Sequence, residues 1–149
     1  MAEIENKWRK KSNKVQRKPY LAERWWGACT VNDQAKPVSD PQDLERTLVA
    51  RERAGDVDGM VALYEPHAAL HYGERNLAVG RHAIRKVFAS LVAAGRKFEF
   101  GEQRAAIVCG DLALTSTRLS DGTITAEVAR RQGDGTWLWV IDRFSISQD

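Results

Sequence analysis

The chain has 149 residues, with 23 Lys and Arg against 20 Asp and Glu, 43% hydrophobic residues and a mean hydropathy of -0.47. That is the make-up of an ordinary soluble protein with room for one cored domain and a tail, and no apolar run nears the ~20 residues of a membrane span. Cys29 and Cys109 are too few and too far apart for a zinc knuckle or a disulfide framework. With no apolar h-region in the first 24 residues, a cytoplasmic location is the default expectation.

Residues 1–24 carry eight basic side chains (Lys7, Arg9, Lys10, Lys11, Lys14, Arg17, Lys18 and Arg24) and three Glu, a net of +5. Residues 25–149 hold 15 basic and 17 acidic residues, a net of −2, so the arm supplies the whole positive excess. A basic arm can hold nucleic acid or an anionic surface by counterion release, and a merely solvated extension has the same composition. No groove-reading motif accompanies it, which argues against a nucleic-acid partner. Trp8, Tyr20, Trp25 and Trp26 can stack on bases or dock the arm onto the body, and docking is the expectation for Trp25 and Trp26. Residues 27–39 lack periodicity and read as a linker, so the folded domain is expected over 40–149.

Asp40 followed by Pro41 is an N-cap with proline at the first helical position. Leu44 and Leu48 mark one face of this helix, which ends at Gly55. Asp56 caps a second helix whose apolar positions Val57, Met60, Val61 and Tyr64 follow helical spacing, with Pro66 as its stop. His67 to Gly73 reads as a short strand, and a loop runs through Gly80. A third helix carries Ile84, Val87, Phe88, Leu91 and Val92 on one face and stops at Gly95. Beyond Lys97 the pattern is extended: Phe98 to Phe100, Ala105 to Cys109, Leu112 to Leu119, Ile124 to Arg131 and Trp137 to Ile146, separated by turns such as Asp121-Gly122.

Three helices followed by hairpin-connected strands predict an α+β fold, with the helices packed on one face of a curved antiparallel sheet and a cavity enclosed between them. On the last strand, alternation puts Trp137, Trp139 and Ile141 on one face and Leu138, Val140, Asp142 and Phe144 on the other. Both faces are apolar, so both need cover. Helices cover one of them; the outer sheet face needs a partner subunit or the N-terminal arm, and a homodimer is the simplest cover.

The stretches Ala54-Gly55-Asp56, Ala62-Leu63-Tyr64-Glu65-Pro66-His67-Ala68, Gly80-Arg81-His82-Ala83-Ile84, Glu127-Val128-Ala129-Arg130-Arg131-Gln132 and Trp139-Val140-Ile141-Asp142 carry a resemblance. Over about residues 40–147 the chain resembles the ketosteroid isomerase-like, nuclear transport factor 2-like superfamily, and within it the SnoaL-like domains. The resemblance implies the cone fold. It leaves the activity open, because such cones serve isomerases, dehydratases, cyclases, hydrolases and non-catalytic assembly domains alike. The steroid isomerases' pattern of a base, a helix tyrosine and a protonated acid falls on Tyr72, Leu48 and Glu127. Two of these three positions depart from it, which argues against steroid isomerisation by that mechanism.

Glu127 is nevertheless expected to face the cavity, with Thr125 and Ala129 beside it. Two carboxyl groups in one apolar space raise each other's pKa and separate an acid from a base. Glu127 and Asp142 are therefore the candidate acid/base pair, with Tyr72 as a hydroxyl donor. Leu48, Tyr64, Leu70 and Phe88 are the expected substrate-binding wall, joined by Arg118, Val140 and Phe144 from the strands. The alternative for each carboxylate is a structural ion pair with Arg118, Arg131 or Arg143.

His67 and His71 share a strand face, but no third ligand completes a metal set. His82, at the start of the third helix, reads as a surface residue. Ser116 and Ser120 lack a nucleophile elbow. The expectation is a cofactor-independent, metal-free domain for a small apolar metabolite, acting by proton transfer as an isomerase, dehydratase or cyclase. A non-catalytic binding or assembly domain is the rival.

Overall fold

The computed structural model describes residues 37–146. The basic arm, its aromatic residues and the linker up to residue 36 lie outside the described residues. What is described of the linker belongs to the fold: Val38 is buried, and its carbonyl accepts a hydrogen bond from the Trp137 N–H at 2.8 Å.

The Asp40 carboxylate accepts from the Gln42 N–H at 2.9 Å and starts a single 3-10 turn, Pro41–Asp43. Helix α1, Leu44–Arg53, follows and buries Leu44, Leu48 and Val49. Asp56 caps α2, Val57–Ala62, by accepting from the Gly59 N–H at 2.8 Å. Tyr64 fits the helical spacing but instead opens strand β1, Tyr64–Tyr72, and Pro66 lies inside that strand rather than ending the helix. Strand β1 pairs with the last strand at Tyr64 and again only from Ala69, five residues on one side against two on the other. Pro66 falls in that irregular stretch, where no ladder partner requires its missing N–H.

Strand β2, Asn76–Val79, forms a hairpin with β1 in a region the sequence pattern leaves as loop, since only Ala78 of its four residues is buried. Gly80, at φ 80°, ends β2 and caps α3, Arg81–Ala93, which buries Ile84, Val87 and Phe88. Strands β3 (Glu102–Gln103), β4 (Ile107–Cys109), β5 (Leu112–Thr115) and β6 (Thr117–Arg118) are short, and the stretch 98–100 expected to be extended strand is irregular. Strands β7, Ile124–Arg131, and β8, Trp137–Ile146, have the bounds the sequence predicts.

The fold is an α+β cone in which three helices pack on one curved sheet. Its strand order is β2-β1-β8-β7-β5-β4, with β6 paired to β7 and β3. The sheet is mixed rather than wholly antiparallel, because β1 and β8 run parallel. These two strands lie at opposite ends of the domain sequence, so no hairpin dictates their relative direction.

Two neighbouring rows cross the sheet. Ala78, Leu70, Asp142, Glu127 and Thr115 stand in register on the inner face, and all are buried. One step along, Val79, Ala69, Ile141, Val128, Leu114 and Ile107 form an outer row over six strands, with Val79, Ile141, Leu114 and Ile107 exposed.

Strict alternation on β8 does not hold. Val128 pairs with Ile141 while Ala129 pairs with Trp139, so Val140 is the extra residue of a β-bulge. The bulge resets the phase. Trp137 and Trp139 are buried together with Asp142, whereas Ile141, expected on the tryptophan face, is 52% exposed.

Candidate functional site

A cavity of about 560 Å³ opens between α1, the end of α3, the segment 96–99, the 119–121 loop and the inner faces of β1, β7 and β8. That is a volume suited to a small metabolite. Its walls are apolar and aromatic: Leu48 and Val49 from α1, Leu91 from α3, Phe98, Tyr72, Trp139 and Phe144. Phe98 meets Phe144 and Phe88 edge-on, with ring centroids 5.8 and 6.4 Å away.

Five carboxyl groups line this space: Glu99 and Asp121 are exposed, and Glu45, Glu127 and Asp142 lie on the helix and sheet walls. Glu127 and Asp142 are directly opposed on antiparallel β7 and β8, which holds their Cβ atoms about 4.5–5.5 Å apart. Glu45 projects from α1 and accepts from the Thr117 hydroxyl and from Gln103 Nε2. The Thr115 hydroxyl donates to Glu127 Oε2 at 2.7 Å, and the buried Tyr64 hydroxyl donates to Asp142 Oδ2.

No basic side chain among the described residues lies within 4.0 Å of either β-strand carboxyl. Arg118, Arg131 and Arg143 are all exposed, so the structural ion pairs that were the alternative for Glu127 and Asp142 do not form with them. Lys97, at the cavity mouth, stands 3.4 Å from Glu52 Oε1 instead.

Burial without a cation decides the protonation. Loss of hydration lifts the Glu127 pKa to about 7, against the hydroxyls of Thr125 and Thr115, which favour the ionised form. Asp142 lies well above the ordinary carboxylate range, first because it is buried and then because Glu127 lies beside it; the Tyr64 hydrogen bond opposes both effects. Burial and the Asp142 charge likewise raise the Tyr64 phenol. Both carboxyls are thus held toward the neutral form, Glu127 up to about 7, which sets two coupled proton-exchanging groups side by side.

Of the residues singled out in the sequence, Glu127, Asp142, Tyr72, Leu48 and Phe144 meet at the cavity. Tyr64, Leu70 and Phe88 do not line it; they are fully buried core residues behind its wall. Arg118 is exposed on β6, outside the cavity lining, and the bulge takes Val140 out of the lining and puts Trp139 in. His67 and His82 are exposed, and His71 is in register with Leu77 on the outer face. Among the described residues no three His, Cys, Asp or Glu side chains are grouped so as to hold a metal ion. Glu45 was missed, although it precedes Leu48 and Val49 by three and four residues and so shares their helix face. Phe98 was missed because its segment is irregular.

Residues 46–149 match the family described as the SnoaL-like domain. The chain belongs to this SnoaL-like family. Solved structures agree in fold. A calcium/calmodulin-dependent protein kinase type II association domain from Thiobacillus denitrificans is 21% identical with a TM-score of 0.63, over 76% of this chain and 99% of that one. A ketosteroid isomerase-like protein from Erwinia carotovora atroseptica is 17% identical with a TM-score of 0.55, over 72% of this chain and 94% of that one. A nuclear transport factor 2-like protein of unknown function from Pseudomonas putida is 19% identical with a TM-score of 0.54, over 72% and 84%. At these identities the likeness shows the fold alone. No curated protein matches the sequence. No helix among the described residues is long and apolar enough to cross a membrane.

Proposed function

We propose that this SnoaL-like domain binds a small, largely apolar metabolite in its cavity and moves a proton on it without a cofactor, as an isomerase, dehydratase or cyclase does. The observation that carries this reading is the register pairing of Glu127 and Asp142 on the inner wall of an apolar cavity, with no basic partner among the described residues. Glu127 is the group that exchanges its proton near neutral pH, Asp142 the group that stays a donor, and Tyr72 a hydroxyl on the wall. A cytoplasmic setting suits Cys109, which is exposed and has no disulfide partner among the described residues.

The test pairs binding with exchange. A panel of small uncharged apolar compounds is screened by thermal shift against the wild type and Leu48→Trp, which fills the cavity from α1. Compounds that bind are then followed by NMR in D₂O for deuterium incorporation at carbon. Binding lost in Leu48→Trp, with exchange lost in Glu127→Gln, supports the reading. Binding indifferent to Leu48→Trp removes it.

The second reading, an assembly domain, is favoured by the exposed apolar row Val79, Ile141, Leu114 and Ile107 on the outer sheet face. A homodimer through that face buries the row, and the name of the Thiobacillus neighbour, an association domain, is in keeping with such a role. The two readings are compatible, since cavity and outer row lie on opposite faces of the sheet.

A further inference from the structure

Tyr64 sits behind the cavity wall, yet it holds one of the groups that line it. Its ring is fully buried between Phe88 and Trp139, with centroids 5.7 and 5.2 Å away. Its hydroxyl meets Asp142 Oδ2, and among the described residues it makes no other hydrogen bond. A buried phenol must place its proton on an acceptor or bear the full cost of leaving it unpaired. Were the Asp142 proton on Oδ2, the phenol would face the poorer acceptor of the two oxygens, since the carbonyl oxygen of a neutral carboxyl accepts better than its hydroxyl oxygen.

We infer that Tyr64 is a positioning residue. By donating to Oδ2 it makes Oδ1 the oxygen that carries the Asp142 proton, and so turns the Asp142 carboxyl into a hydrogen-bond donor facing the cavity. Among the described residues, Glu127 from β7 and Glu45 from α1 act on Asp142, and like charge on either favours the same neutral form; Arg96 and Lys97 line the same cavity but make no ion pair with Asp142. Resting on the ligand-binding reading above, this sets the class of ligand. The deep end takes an uncharged oxygen acceptor, a carbonyl, ether or hydroxyl oxygen, held by Asp142 beside Glu127.

Infrared spectroscopy of the ligand-free protein near pH 7 tests the assignment. A protonated carboxyl shows a C=O stretch apart from the carboxylate bands, and a hydrogen bond to its carbonyl oxygen lowers that frequency. The wild type is expected to show such a band, which Asp142→Asn removes. Tyr64→Phe, which deletes one hydroxyl from a filled core, is expected to retain the band and move it to higher wavenumber. Biosynthetic fluorotyrosine, a stronger donor that leaves the core intact, is expected to move it the other way. A wild type with no band that Asp142→Asn removes, or a band that neither change at Tyr64 moves, overturns the inference. Because no ligand is used, failure of the proposed function leaves this result untouched.

Discussion

Replacing Glu127 by Gln keeps the shape of the side chain, and the amide oxygen can still accept from Thr115, but the group can no longer ionise. In the folded protein Glu127 holds its proton to about pH 7, whereas the ordinary value, which the unfolded chain has, is 4.5. The folded state therefore binds a proton that the unfolded state has released, and stability falls as pH rises from about 4.5 to about 7. The size follows from 1.36 kcal/mol per pH unit: about 3 kcal/mol of destabilisation once both forms are ionised. Glu127 is 5% exposed, so solvent does little to screen it. Thermal melts of wild type and Glu127→Gln at fixed salt from pH 5 to pH 8 read this directly. Near pH 5 the two should differ by less than about 1 kcal/mol. At pH 8 the variant should be the more stable by up to about 3 kcal/mol, roughly 10 °C for a domain of this size. A variant that melts well below the wild type at pH 8 would refute the reasoning, because it would reveal a carboxylate paired with a cation and left broken by the change.

Thr115→Val should raise the Glu127 pKa above 7, since it deletes a donor that favours the ionised carboxylate; an NMR titration of the carboxyl carbon checks the direction. On the outer face, Ile141→Glu and Leu114→Glu place charge in the exposed apolar row. They should turn a dimer into monomers in analytical ultracentrifugation while leaving the cavity intact, and an unchanged sedimentation coefficient would remove this face as the interface.

The helices were legible from capping and periodicity, and the cone from the resemblance: Asp40, Asp56 and Gly80 mark helix starts in the sequence and in the structure alike. Where the reading slipped, tertiary pairing had overridden local pattern. Tyr64 completes the α2 spacing, yet joins β1 because β8 offers it a partner. The bulge at Val140 left no mark in an unbroken apolar stretch, so strict alternation traded Trp139 for Val140 at the cavity. Glu127 could be placed because β7 is regular from Ala126 to Val128 and its outward neighbours are apolar. The adjacency of Glu127 and Asp142 could not, because alternation sets faces and only register sets neighbours. Nor could the role of Tyr64, whose partner lies 78 residues away.

The cavity brings two coupled carboxyls together with no basic side chain among the described residues within 4.0 Å of either. Following the Glu127 and Asp142 side-chain carboxyl carbons by NMR from pH 4 to pH 9 tests this pairing most directly. Two separated steps above the ordinary carboxylate range are expected, with Glu127 ionising near pH 7 and Asp142 also raised. If both groups ionise below about pH 5, in the range of ordinary carboxylates, the pair is neutralised by cations and the acid/base reading is wrong.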